Sequence, residues 1–396
     1  MMENSTEIQN SLHPDWSYNS VVYEMNIRQY TPEGTLKAAM KHLPRLKELG
    51  IDILWLMPIY PIGVKGRKGT YGSYYAIQDY CAVNPEFGTM KDFEKFLEKA
   101  HKLGFKLILD WVANHTSPDA RWITESPADW YHRDANGEPE IRFDWTDIAA
   151  LNYENKEMWQ AMDSAMRFWL EKGIDGFRCD MACLVPMEFW RATIPGLRRD
   201  YPGIYMLAEG ETPELHYDAF DASYRWDTFH LMDDLAQYKK GMHDLIGHLN
   251  YTQNEYPAHA FRLMFTSNHD ENSWQGTEFE RMGEAARAMA VLTFTLPNGQ
   301  PLIYTGQEMG LNKRFQFFEK DPVEKWEEND FTDFYKYLIK VRHSNPALAA
   351  GEKGGRFEIL NTENNTLMFA RTLPDNRVIV KVQMCYPWAW EIKKEY

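Results

Sequence analysis

Lys106-Leu107-Ile108-Leu109-Asp110-Trp111-Val112-Ala113-Asn114-His115 begins as a short apolar run and ends in groups that carry chemistry. Its first five residues read as a strand, and what lies on either side decides what kind of sheet it belongs to. Upstream, Phe93, Phe96, Leu97, Ala100 and Leu103 recur at helical spacing, and before them stands a second apolar run, Ile53-Leu54-Trp55-Leu56. Further back, Val21-Val22-Tyr23-Glu24-Met25-Asn26 reads as another strand, and Leu36, Met40, Leu43 and Leu46 give the next segment a helical face despite Pro44. Strands alternating with helices in this way are the pattern of parallel βα units.

Downstream, periodicity fails between Ser117 and Asn155, a stretch rich in Trp, Asp, Glu and Pro with a turn signal at Asn136-Gly137, so it reads as an insertion. Helical spacing resumes at Met158, Met162, Met166 and Trp169, and Gly176-Phe177-Arg178-Cys179 is the fourth strand. Ile204 to Ala208, Ala219 to Ser223, Arg262 to Thr266 and Pro301 to Tyr304 bring the count to eight, the number that closes a TIM (β/α)8 barrel. The expected fold is α/β: a barrel over residues 1–116 and 156–345, a short inserted domain at 117–155, and a small C-terminal antiparallel β-domain at 346–396. That last domain is read from alternating runs such as Thr366-Leu367-Met368-Phe369-Ala370 and Val378-Ile379-Val380-Lys381-Val382. Cys385-Tyr386-Pro387-Trp388-Ala389-Trp390 breaks the alternation and leaves the completeness of the β-domain open.

Composition narrows the partners. With 43 basic and 58 acidic residues the net charge is −15, which repels polyanions and disfavours anionic lipid surfaces, so neither nucleic acid nor a membrane is an expected partner. No basic-then-apolar leader is visible in Met1 to Trp16, and no apolar run reaches membrane length. Cys81, Cys179, Cys183 and Cys385 form neither a disulfide framework nor a zinc motif, and free thiols in a reducing, cytoplasmic setting are expected. A removed leader would leave the sequence looking the same. Oligomeric state stays open.

Barrel enzymes act at the C-terminal ends of their strands. Four strand ends carry polar clusters: Asp110 to His115, Arg178-Cys179-Asp180, Ala208-Glu209, and Ser267-Asn268-His269-Asp270. In order and spacing they resemble the four signature regions of the α-amylase clan of retaining glycoside hydrolases. Tyr71 to Tyr80 and Gln300 to Glu308 resemble clan segments as well, so the likeness runs from about Val21 to Ser344. It implies cleavage of α-1,4-linked glucans or maltooligosaccharides, with Asp180 as nucleophile, Glu209 as general acid/base and Asp270 as the third carboxylate. It also implies that Tyr75, His115, Arg178 and His269 bind the sugar being cleaved and that Asp110 orients Arg178. The residue types suit the task, since an oxocarbenium-like transition state calls for one carboxylate at the anomeric carbon and one protonated carboxyl at the leaving oxygen.

The sequence departs from the clan where calcium is usually held. Cys183-Leu184 stands in place of a Lys-His pair, the insertion is short, and Gln29-Tyr30-Thr31-Pro32-Glu33-Gly34 replaces an acidic loop. No local set of oxygen ligands can be assembled, so no cofactor or metal is expected to be required. Asn114, which matches a calcium ligand in many members, could instead bridge the insertion to the barrel. Ala150-Leu151-Asn152 only partly matches the segment that tracks specificity, so a glucanotransferase, a sucrose-acting enzyme or a trehalose-forming enzyme remains a rival. A catalytically inactive binding subunit would lack one of the three acids, and none is missing.

Overall fold

The computed structural model describes residues 13–395, so most of the leader reading over Met1 to Trp16 lies outside the described residues. Numbered along the chain, the parallel strands are β1 (Val22–Met25), β2 (Ile53–Leu56), β3 (Lys106–Val112), β6 (Gly176–Asp180), β7 (Tyr205–Ala208), β8 (Ala222–Tyr224), β9 (Phe261–Met264) and β10 (Gly299–Tyr304). They pair in that order, and β10 returns to β1 to close an eight-stranded barrel. Between β3 and β6 the insertion contributes a minimal antiparallel pair, β4 (His115–Thr116) with β5 (Ala149–Ala150).

The helices form for local reasons that the sequence displays. Met90–Lys102 starts with a capping box in which Thr89 and Asp92 exchange hydrogen bonds, and it buries Phe93, Phe96, Leu97 and Ala100 against the barrel. Each large apolar side chain so buried contributes about 1.5–3 kcal/mol. Lys156–Glu171 is capped by Asn155 and buries Met158, Met162, Met166 and Trp169. The segment after β1 is helical as read, with Leu36, Leu43 and Leu46 buried. The segment is split into Leu36–Ala39 and Leu43–Leu49, with Pro44 in the first turn of the second, where its missing N–H goes unneeded.

Two strand bounds differ from expectation in ways that matter. β3 runs past Asp110, because Trp111 and Val112 pair with Cys179 and Asp180; the same register sets Asp110 directly opposite Arg178. β8 begins at Ala222 instead of Ala219, since the residues before it are spent leaving a left-handed turn at Asp218 (φ 63°). Close strand approach also explains one glycine: Gly176 has φ 147°, and a Cβ there would meet the Tyr205 carbonyl oxygen at 1.8 Å.

The C-terminal domain is a four-stranded antiparallel sheet, β11 (Arg356–Asn361), β12 (Thr366–Leu373), β13 (Asn376–Gln383) and β14 (Ala389–Glu395), in that order. The break seen at Cys385–Trp388 is thus the turn into an edge strand. Buried Arg371 ties this sheet to the barrel, donating to the carbonyls of Thr295, Ala349 and Gly355. All four cysteines are unbridged. No helix among the described residues is long and apolar enough to cross a membrane.

Candidate active site

The C-terminal ends of the strands surround a cavity of about 450 Å3, within the usual range for small-ligand sites. Tyr75, His115, Asp180, Glu209, His269 and Asp270 all line it. Arg178 and Asp110 do not; both are fully buried beneath it and act through their neighbours.

Arg178 is the hub. Its Nη1 lies 2.9 Å from Asp110 Oδ1 and 3.2 Å from Asp180 Oδ1, while Nη2 is in ion-pair contact with Glu209 Oε2 at 2.9 Å without hydrogen-bond alignment. Asp110 is held in turn by Trp55 Nε1 and the Tyr75 hydroxyl, each donating to Oδ2 at 3.1 Å. One guanidinium therefore fixes the spacing of the two carboxyls that face the cavity. Such an arrangement suits arginine, whose rigid fork addresses several acceptors at once.

Asp180 ends β6, and its Oδ2 has no partner among the described residues, which leaves that oxygen for a ligand. Burial and the nearby Glu209 carboxylate raise Asp180, and the Arg178 guanidinium 3.2 Å from Oδ1 opposes them by favouring the charged form that a nucleophile needs. Immediately after it, Met181 takes a left-handed conformation (φ 42°), uncommon for a non-glycine residue. The bend lets the Met181 N–H donate to Glu209 Oε2 at 2.7 Å. Strain at this one residue thus couples the nucleophile candidate to the acid candidate.

Glu209 follows β7 directly and faces the cavity, whereas Glu211 does not reach it. Glu211 accepts from Arg262 Nη2 at 2.9 Å and from the Asp227 N–H at 3.2 Å. Burial and Asp227 raise Glu211 to about 8, a value fit for an acid catalyst. Geometry overrides it, because a proton donor must be within reach of the leaving oxygen.

The two histidines hold opposite charge states. Burial and the charge of Arg142 lower His115 to about 4, and Asn114 Nδ2 donates to its Nδ1 at 3.1 Å, so the neutral ring keeps its hydrogen on Nε2. Burial works against charge at His269 too, but Asp270 and Glu24 outweigh it and lift that ring to about 9. His269 Nδ1 meets Glu24 Oε1 at 2.5 Å, and Nε2 lies 2.7 Å from the Tyr75 hydroxyl and 3.4 Å from Asp270 Oδ2. Tyr75 stacks on the same imidazole, with centroids 5.4 Å apart.

Sequence reading passed over Glu24, although a charge within an apolar strand was visible there. It also passed over Lys68, Trp145, Trp274, Phe317 and Phe318, which line part of the cavity wall. Phe317 and Phe318 lie in an irregular segment after β10, where no periodicity marks them.

A calcium site at Asn114 does not fit the residues present. Arg142 Nη1 donates to Asn114 Oδ1 at 3.3 Å, which places a guanidinium where the metal would need that oxygen. The Asn114 carbonyl meanwhile accepts from the Leu151 N–H at 3.2 Å. Through these two donors Asn114 ties the insertion to the barrel.

Acids, imidazoles and a tyrosine ring gathered around a sugar-sized space in this way are equipment for breaking a glycosidic bond. The chain belongs to the α-amylase family of glycoside hydrolases, whose catalytic-domain model matches residues 7–142 and 128–336. An α-amylase, MalA, of Haloarcula japonica is 31% identical over 93% of this chain and 55% of its own length. The crystal structure of an α-amylase from Lactobacillus plantarum superposes with a TM-score of 0.86 at 31% identity, covering 92% of this chain and 88% of that one. A noncanonic maltogenic α-amylase, AmyB, from Thermotoga neapolitana gives 0.84 at 30% identity over 92% and 86%. The chain spans about half to two thirds of the length of the first curated relatives it matches.

Proposed function

We propose that this chain hydrolyses α-1,4-linked glucans or maltooligosaccharides by double displacement with retention of configuration. The observation that carries the reading is the convergence of Asp180, Glu209 and Asp270 on one cavity, with an unpartnered oxygen on Asp180. In the first half-reaction Asp180 Oδ2 attacks the anomeric carbon while Glu209 gives its proton to the leaving oxygen. In the second, Glu209 takes a proton from water, which attacks the same carbon and releases Asp180. Positive charge develops on the sugar ring in each transition state. A buried carboxylate with few solvating partners, as Asp180 is, interacts with that charge strongly because little water screens it.

His115 and His269 supply donors to the hydroxyls of the sugar in the cleavage site, Tyr75 offers its ring face, and Asp270 accepts from hydroxyls. Trp145, Trp274 and Phe317 add apolar faces suited to neighbouring sugars. The test is a time course on maltooligosaccharides, starch, pullulan, sucrose and trehalose with products resolved. Short maltooligosaccharides released from α-1,4 substrates support the reading. Products longer than the substrate indicate transfer, and activity confined to sucrose or trehalose overturns it.

A further inference from the structure

Glu24 belongs to β1, is wholly buried, and sits among apolar neighbours on a strand otherwise built as core. A carboxylate in such a place is costly unless it is paired, and among the described residues its one hydrogen-bonding partner is His269 Nδ1, at 2.5 Å, with none at Oε2. That contact spans the barrel from the first strand to the loop after the seventh.

The other side of the imidazole faces the chemistry. Nε2 lies 2.7 Å from the Tyr75 hydroxyl and 3.4 Å from Asp270 Oδ2, and the Tyr75 hydroxyl in turn donates to Asp110 Oδ2 at 3.1 Å. Each ring nitrogen thus has a carboxylate before it, Glu24 on one side and Asp270 on the other. Resting on the glycosidase reading, we infer that Glu24 is the positioning residue for His269: it accepts the Nδ1 hydrogen and so holds the ring with its second hydrogen on Nε2, directed at the Tyr75 hydroxyl beside Asp270 at the wall of the cleavage site.

The groups facing this ring come from several elements. Glu24 approaches from β1 and Asp110 from β3, Arg178 opposes them from β6, and Asp270 and Tyr75 stand at the cavity wall. The balance favours charge, in keeping with the rise of His269 to about 9. Glu24 makes no hydrogen bond or ion pair with Arg178 among the described residues and does not line the cavity, so its removal acts first on the histidine.

The test is a pH titration of the imidazole nitrogens by NMR in the 15N-histidine-labelled full chain, with His269→Gln to assign the signals. The parent and the variants Glu24→Gln and Glu24→Asp are compared. In the parent both His269 nitrogens should stay protonated through pH 8. In Glu24→Gln the midpoint should fall by at least one pH unit, and kcat/KM should fall tenfold or more with an altered basic limb. Glu24→Asp keeps the charge and should restore part of both. A parent ring that loses its charge below pH 7 overturns the inference, and that reading needs no variant to fold. A folded Glu24→Gln variant whose titration and pH profile superimpose on the parent overturns it as well. Because the titration uses no substrate, a shifted midpoint in a protein inactive on every glucan would sustain the positioning role while sinking the functional reading.

Discussion

Arg178 stands opposite Asp110 in the register of neighbouring strands, and their side chains meet at 2.9 Å in the fully buried centre of the barrel. The pair is a foundation: it holds the guanidinium whose remaining edges reach Asp180 and Glu209. Removing one partner of a buried pair leaves an uncompensated charge, at a cost of about 3–5 kcal/mol. Arg178→Leu should therefore lower the unfolding midpoint substantially and abolish turnover. Thermal denaturation of this variant beside Asp110→Asn checks the point. An unchanged midpoint in both would show that the pair holds nothing together.

The choice between Glu209 and Glu211 can be read from leaving-group dependence. Acid catalysis is worth about 10²–10⁴, so Glu209→Gln should cut turnover on unactivated α-glucosides by at least that factor. It should retain far more activity on glycosyl fluorides, which need no proton to depart. Glu211→Gln should do much less, its partners being Arg262 and Asp227 outside the cavity. Initial rates on the two substrate types decide, and the reverse pattern would reassign the proton donor.

Activity should survive a chelator. The guanidinium of Arg142 holds the oxygen of Asn114 that calcium would require. Rates measured after dialysis against a chelator, with and without added calcium, should agree. The Arg142→Ala variant, by contrast, should lose activity because the insertion carrying Trp145 is no longer pinned beside His115. Inactivation by the chelator that calcium reverses would contradict this.

His115 makes stability depend on acid. Its folded value of about 4 lies below the ordinary histidine value of 6.5, so between these pH values the unfolded chain binds the proton and the folded one does not. Stability then rises with pH across that window, and on the order of 2 kcal/mol should be lost at pH 5 relative to pH 7 through this residue. Denaturant melts at both pH values should show a smaller difference in His115→Gln than in the parent. Equal differences would mean that the buried ring is not the source.

The barrel was legible because each strand is a compact apolar run followed by a helix of regular spacing, and the acids were legible because they end those runs. Asp110 was harder to place: its strand continues for two residues, so a group that looked terminal lies inside the barrel. Glu24 was overlooked for the opposite reason. It sits mid-strand, where an apolar reading dominates, and only closure of the barrel brings it to His269. Trp274, Phe317 and Phe318 come together through loops whose conformation depends on distant packing, so local pattern could not locate them.

Asp180 acting as nucleophile beside Glu209 as acid would retain the anomeric configuration, because retaining carboxyl pairs stand about 5–5.5 Å apart and leave no room for a water between carboxyl and sugar. Retention is tested most directly by following the anomeric signals of the first-formed product by proton NMR, before mutarotation, with a short α-1,4-linked maltooligosaccharide as substrate. The new reducing end should appear as the α-anomer and drift later towards equilibrium; initial release of the β-anomer would rule out a covalent intermediate on Asp180.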